Sequence, residues 1–132
     1  MTQPNRKRAL VVEDELMIGR VCQKVLTALG FEVDVAVNGL VAKEMVEKNH
    51  YDLCLSDIRT PGMNGMELYV YLEKEHHDLA DRTIFTTGDV LSGNVNTFLE
   101  KTRKPFLPKP FTPDELKKVV QQALVHALPG TE

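Results

Sequence analysis

The chain has 132 residues, 42% of them hydrophobic and 27% charged, which suits one globular domain with its own core and excludes a low-hydrophobicity disordered polymer. The formal net charge of −3 argues against direct nucleic-acid binding, which shows as a basic patch; Arg6-Lys7-Arg8 is the one positive cluster and reads as a solvated lead-in to a strand. No stretch approaches the ~20 apolar residues that span a bilayer, and no apolar signal region opens the chain. Cys22 and Cys54 are far apart in apolar surroundings and read as packing residues, so the expected location is a reducing cytoplasm.

Ala9-Leu10-Val11-Val12 is a short apolar run followed by acids, the pattern of a buried strand. Ile18, Val21, Cys22, Val25, Leu26 and Leu29 then form the stripe of an amphipathic helix, which Gly30 ends. Residues 31–37 alternate as a half-buried strand, and Asn38-Gly39 is a turn. A helix follows to about Asn49 and is expected to pack through Leu40, Ala42, Met45 and Val46, with the Lys43 stem as an alternative to Ala42. Leu53-Cys54-Leu55 is a third strand, ending at Ser56-Asp57. Pro61-Gly62 and Asn64-Gly65 mark a loop over Arg59–Gly65, and a helix runs from Met66 to about His76. His76-His77 reads as a solvated turn with no metal partners. Thr83–Thr87 is a fourth strand, and a weak helix lies near 92–102. Pro105–Pro108 is a short strand that two prolines confine to a sheet edge. Thr112, Pro113 and Glu115 open a last helix, whose stripe is Leu116, Val119, Val120, Ala123, Leu124, Ala127 and Leu128.

Five strand–helix units in alternation imply a parallel sheet with helices on both faces. In such sheets ligands bind beyond the carboxyl ends of the strands. Polar residues interrupt the apolar pattern at those ends: Glu13 and Asp14 after the first, Asp57 at the third, Thr87 at the fourth and Lys109 at the fifth. Converging carboxylates repel one another, and a hard divalent cation such as Mg²⁺ relieves this through oxygen ligands. Lys109 adds a mobile positive charge and Thr87 a hydroxyl donor. Together these suit a phosphoryl group carried on a carboxylate oxygen, with Asp57 as the nucleophile.

The segments VVEDE, LSDIRTPGMNGMEL, FTTG and PFLPKPF resemble the successive signatures of response regulator receiver domains, over about residues 7–128. The resemblance implies a single receiver domain over 1–132 with a flavodoxin-like (βα)5 three-layer sandwich and a sheet of order 2-1-3-4-5. It implies Mg²⁺ held by Glu13, Asp14, Asp57 and the main-chain carbonyl of Arg59, Asp14 directly and Glu13 through water. Asp57 matches the phosphoacceptor, Lys109 the phosphate-binding lysine, Thr87 the switch hydroxyl and Phe106 the switch aromatic. The Lys109–Pro110 bond is expected cis. The family's Gly-Ala pair before the fifth strand is replaced by Arg103-Lys104, which leaves the shape of that loop open.

The implied function is a signalling switch rather than a turnover enzyme, accepting phosphate from a histidine kinase or a histidine phosphotransfer protein and hydrolysing it slowly, with a downstream effector not identified. A haloacid-dehalogenase-type phosphatase requires a second Asp two residues after the nucleophile, where Arg59 stands. A flavodoxin requires an uncharged phosphate loop where Glu13-Asp14-Glu15 stands. A receiver serving only as an interaction module does not account for the full set of site residues. Stand-alone regulator and receiver of a hybrid kinase both remain open. Docking is expected at Leu16, Met17, Arg20 and Phe111, an Arg59–Asp89 pair at the mouth of the site, and output through the fourth helix, fifth strand and fifth helix. The fourth helix is expected to be the softest, since its opening run Ser92-Gly93-Asn94-Val95-Asn96-Thr97 carries roughly 3 kcal/mol of unfavourable helix propensity.

Overall fold

The computed structural model describes residues 6–88 and 93–127, with side chains to 124. Asp89, Ser92 and Leu128, and the side chain of Ala127, lie outside the described residues, and with them the Arg59–Asp89 pair.

Five strands, β1 (Arg8–Val12), β2 (Glu32–Ala36), β3 (Leu53–Asp57), β4 (Thr83–Thr87) and β5 (Phe106–Pro108), form one parallel sheet of order β2-β1-β3-β4-β5. Every residue of β3 and β4 is buried, which explains the apolar start of β3 and the β-branched or aromatic run of β4, and puts Asp57 at the end of an interior strand. β5 is an edge strand, opposite β2, where the prolines of its run interrupt no inner ladder.

Side chains along each strand alternate between two cores. Ala9 and Val11 of β1 join Leu53, Leu55 and Ile84 beneath α1 (Leu16–Ala28) and α6 (Pro113–Ala127). Leu10 and Val12 join Cys54, Phe85 and Val95 beneath α2 (Gly39–Lys48), α3 (Gly65–Glu75), α4 (His77–Asp81) and α5 (Gly93–Thr102). This is the flavodoxin-like three-layer sandwich, with helices on both faces. Burial of a large aliphatic side chain such as Leu26 or Leu72, both almost fully enclosed, contributes about 2 kcal/mol each. Both thiols are packing groups, and burial pushes Cys22 and Cys54 up to about 12. Among the described residues no helix is long and apolar enough to cross a membrane.

Three helix starts follow local side-chain chemistry. Asn38 caps α2 by accepting the Val41 N–H, Asn64 and Glu67 form a reciprocal capping box on α3, and Thr112 and Glu115 form another on α6. Two first-turn glycines bring these helices close to the loop after β3. A Cβ on Gly39 would collide with the Met63 carbonyl oxygen, and one on Gly65 would stand 2.6 Å from the Asp57 carbonyl oxygen. The PGMNG run is thus shaped so that α3 can start against the backbone of Asp57.

Three expectations are corrected. Residues 77–81 form the short helix α4, because Leu79 and Ala80 turn into the core; the helices near 92–102 and after Thr112 are therefore α5 and α6. His76, half-buried, holds its ring 5.5 Å from that of Tyr71 rather than standing in solvent. Leu40 is 54% exposed, lying over Gly62 while Val41 packs inward, because the Asn38 cap sets the rotation of α2. Lys43 reaches the Tyr71 ring face at 5.0 Å, adding a cation–π contact. The Arg103-Lys104 loop keeps a left-handed turn without glycine: Arg103 has φ +57° and donates its N–H to the Leu99 carbonyl, closing α5.

Candidate functional site

The carboxyl ends of β1, β3, β4 and β5 bring the strand-end polar residues together. In-register pairing sets Val12 beside Ser56, Asp57 beside Thr86 and Thr87 beside Pro108, so the residues that follow share one rim. The carboxylate oxygens of Glu13, Asp14 and Asp57 lie within 4.8 Å of one another. Lys109 reaches in from the end of β5, its Nζ 2.7 Å from Asp57 Oδ2 and 2.9 Å from Glu13 Oε1. The Lys109–Pro110 bond is cis.

The two adjacent acids are unequal. Glu13 is 4% exposed and both its oxygens are engaged, Oε1 by Lys109 and Oε2 by the Glu15 N–H at 3.1 Å. Asp14 is exposed. Burial raises the Glu13 carboxyl above its ordinary value; hydrogen bonds from Lys109 and Glu15 oppose this and the Asp57 charge adds to it. For Lys109, burial alone would favour the neutral amine, but hydrogen bonds to Asp57 and Glu13 win and hold the ammonium above the ordinary lysine range. Asp57, 4% exposed, gives its other oxygen, Oδ1, to the Arg59 N–H at 3.1 Å. Thr87 is fully buried, and its carbonyl accepts the Lys109 N–H. Phe106 is half-buried against the core beneath α3 and α5.

Glu15 is a member of this site that strand-end reasoning does not isolate. Its carboxylate lies 3.4 Å from Lys109 Nζ and its N–H orients Glu13. The signal is the third consecutive acid in EDE. Four carboxylates, Glu13, Asp14, Glu15 and Asp57, against the one ammonium of Lys109 leave net negative charge, and their oxygens are the donors that a hard dication such as Mg²⁺ requires. A second grouping, Glu73, His77 and Asp81, also comes within 4.8 Å, which the solvated-turn expectation for His77 did not contain. All three residues are exposed and already satisfied in part, with Tyr69 donating to Glu73 and Lys104 3.6 Å from Asp81.

Beside the site, Leu16 and Met17 are 69% and 73% exposed. With Ile18 and Val21 they line a groove closed on its other side by Lys109, Pro110 and Phe111. Val21, expected on the buried stripe of α1, is 36% exposed here, while Gly19 and Cys22 on either side of it are buried.

Comparison with known proteins agrees with this geometry. The family model for the response regulator receiver domain matches residues 9–121. The chain is 32% identical over 123 residues to the transcription factor SKN7 of Candida albicans, spanning 92% of this chain and 22% of that protein. It is 32% identical over 116 residues to the DNA-binding transcriptional regulator NtrC of Escherichia coli K12, spanning 88% of this chain and 24% of that protein. The chain thus covers about a quarter or less of the length of these relatives. A CheY-like response regulator receiver domain protein from Methanospirillum hungatei superposes with a TM-score of 0.84 at 26% identity, over 93% of this chain and 97% of the other. Strand order, the acids gathered at the carboxyl rim and these matches lead to one conclusion: the chain belongs to the response regulator receiver domain family of two-component signalling.

Proposed function

We propose that the chain accepts a phosphoryl group on Asp57 from the phosphohistidine of a histidine kinase or a histidine phosphotransfer protein, as a single domain whose core spans about residues 7–128. One observation carries the reading: Lys109 Nζ stands between Asp57 Oδ2 at 2.7 Å and Glu13 Oε1 at 2.9 Å, with the Asp14 carboxylate in the same cluster. An Asp57 carboxylate oxygen attacks phosphorus while the P–N bond breaks, its electron pair staying on the imidazole. Lys109 offsets charge on the phosphoryl oxygens. Thr87 then turns its hydroxyl toward the phosphoryl group and Phe106 repacks. Glu13, Asp14, Asp57 and the Arg59 carbonyl would hold Mg²⁺, which supplies neutralisation of the phosphoryl charge. Exposed Asp14 is suited to direct ligation, whereas both oxygens of Glu13 already have protein partners. Slow hydrolysis of the acyl phosphate resets the switch.

The groove at Met17 and Phe111 adjoins Lys109 and is the docking surface in this reading. Output runs through α5, β5 and α6. Among its described side chains α5 buries only Val95, whereas α6 buries Leu116, Val120 and Ala123, so α5 is the more easily displaced.

Incubation with Mg²⁺ and acetyl phosphate, followed by intact-mass measurement, tests the assignment. The wild-type chain gains a labile phosphoryl group and Asp57→Ala does not; equal labelling of the two refutes it. In the same series Met17→Glu slows transfer from a cognate phosphohistidine donor while acetyl phosphate labelling stays normal. Beryllofluoride changes amide exchange most in residues 93–108, and an unresponsive 93–108 removes the output assignment.

A further inference from the structure

A second groove, of about 720 Å³, runs between α3 and α5, away from the Met17–Phe111 surface. Its floor is apolar: the Tyr69 and Phe98 rings, 5.7 Å apart and nearly perpendicular, with the exposed Val70 beside them. Its rim is basic, carrying Lys74 from α3, Lys101 from α5 and Lys104 just beyond it. Lys74 and Lys101 stand in solvent; Lys104 is partly enclosed beside Asp81. The one acid on the lining, Glu73, accepts a hydrogen bond from the Tyr69 hydroxyl at 2.9 Å. Three lysines around an aromatic floor are a local reversal on a chain of net charge −3. Such a surface rewards a partner with apolar side chains on one face and carboxylates beside them.

We infer that this groove docks an acidic amphipathic segment of a partner protein. Charge complementarity selects acids over bases at the rim, and the aromatic floor supplies the apolar contact. The floor also connects to the phosphoacceptor end of the sheet. Phe85 of β4, two residues before Thr87, lies 5.1 Å from the Phe98 ring and 5.5 Å from that of Tyr69. A segment seated between α3 and α5 therefore touches rings that pack on the strand ending at Thr87. Any shift of α5 on phosphorylation changes the width of the groove, and by linkage occupancy biases that shift. The identity of the partner as the downstream effector rests on the function proposed above; the chemistry of the segment rests on the groove alone.

The test uses the unphosphorylated full chain, labelled with ¹⁵N, so that it does not depend on Asp57. The probe is a synthetic helical peptide of about four turns with Leu and Phe on one face and Glu on the other, against the same peptide with Lys in place of Glu. The acidic peptide is expected to shift amides in 69–74 and 98–104, with binding weakened about tenfold by Lys74→Glu/Lys101→Glu and weakened by added salt. The amide spectrum of that double variant away from 69–74 and 98–104 should match wild type, which shows that the fold is intact. The inference is overturned if the acidic peptide leaves 69–74 and 98–104 unshifted at millimolar concentration. It is equally overturned if the lysine peptide binds as well, if the shifts centre on Met17 and Phe111, or if they trace to self-association of the chain. Failure of Asp57 labelling in wild type, with the peptide result intact, would instead strike the phosphoacceptor reading.

Discussion

The two ends of the sheet carry charged networks of similar size but opposite logic. At the amino end, Arg8 holds Asp34 at 2.9 Å and lies over the Tyr51 ring, the Tyr51 hydroxyl donates to the same Asp34 oxygen, and Asp52 accepts the Arg8 N–H with the His50 ring 3.0 Å away. Each acid there has donors of its own, and the parts tie β1 to β2 and to the start of β3. At the carboxyl end one ammonium serves Glu13, Glu15 and Asp57, and Asp14 joins the cluster. Burial raises the Glu13 carboxyl instead of stabilising its charged form. The difference lies in how donors are shared: at the amino end Asp34 and Asp52 are each met by two separate donors, whereas at the carboxyl end one ammonium is divided among three acids.

The contrast breaks first at Lys109. Replacing it in Lys109→Met leaves two nearly buried carboxylates facing each other and should cost about 3 kcal/mol in urea denaturation without metal. Mg²⁺ should recover a large part of that loss. Equal losses with and without Mg²⁺ would mean that Lys109 stabilises through packing and not through charge.

Arg8→Met should cost less, about 1 kcal/mol, because its side chain is about one-third exposed and the Arg8 N–H still reaches Asp52. Here Mg²⁺ should make no difference, and Asp57 labelling should proceed at the wild-type rate. A metal-dependent loss at Arg8 would erase the distinction between the two ends.

The smallest effect concerns acid. Burial would raise the Asp52 carboxyl, but the Arg8 N–H and the His50 ring outweigh it and hold it below its usual 3.8. A group whose folded pKa is depressed adds stability above its unfolded value and loses it as pH falls through the folded one. Asp52→Asn should therefore cost up to about 1 kcal/mol at pH 7, with the gap to wild type closing below about pH 4. A gap that persists to pH 2 would place the effect in packing.

Much of the site was legible because parallel β/α units force strand ends to one side. Glu13, Asp14, Asp57, Thr87 and Lys109 each interrupt an apolar run, and in-register pairing of β1, β3, β4 and β5 does the rest. Glu15 was harder to see, since it opens a helix and only the position of Lys109, 94 residues away, makes it part of the site. Residues 77–81 read as polar surface because EKEHHD hides Leu79 and Ala80, whose burial depends on the core that α3 and β3 have already built.

The amino-acid sequence by itself determined the strand–helix alternation, the capping of α6, the edge position of β5 and the family, because these rest on periodicity, local hydrogen bonding and motif order. Tertiary structure alone decided that adjacent acids of one cluster differ in burial, Glu13 enclosed against Lys109 and Asp14 exposed. It also decided that lysines of α3 and α5 meet over Tyr69 and Phe98. Each of these depends on the distance between groups remote in the chain, and hydrophobic periodicity reports only which face of an element is buried, not what it meets there.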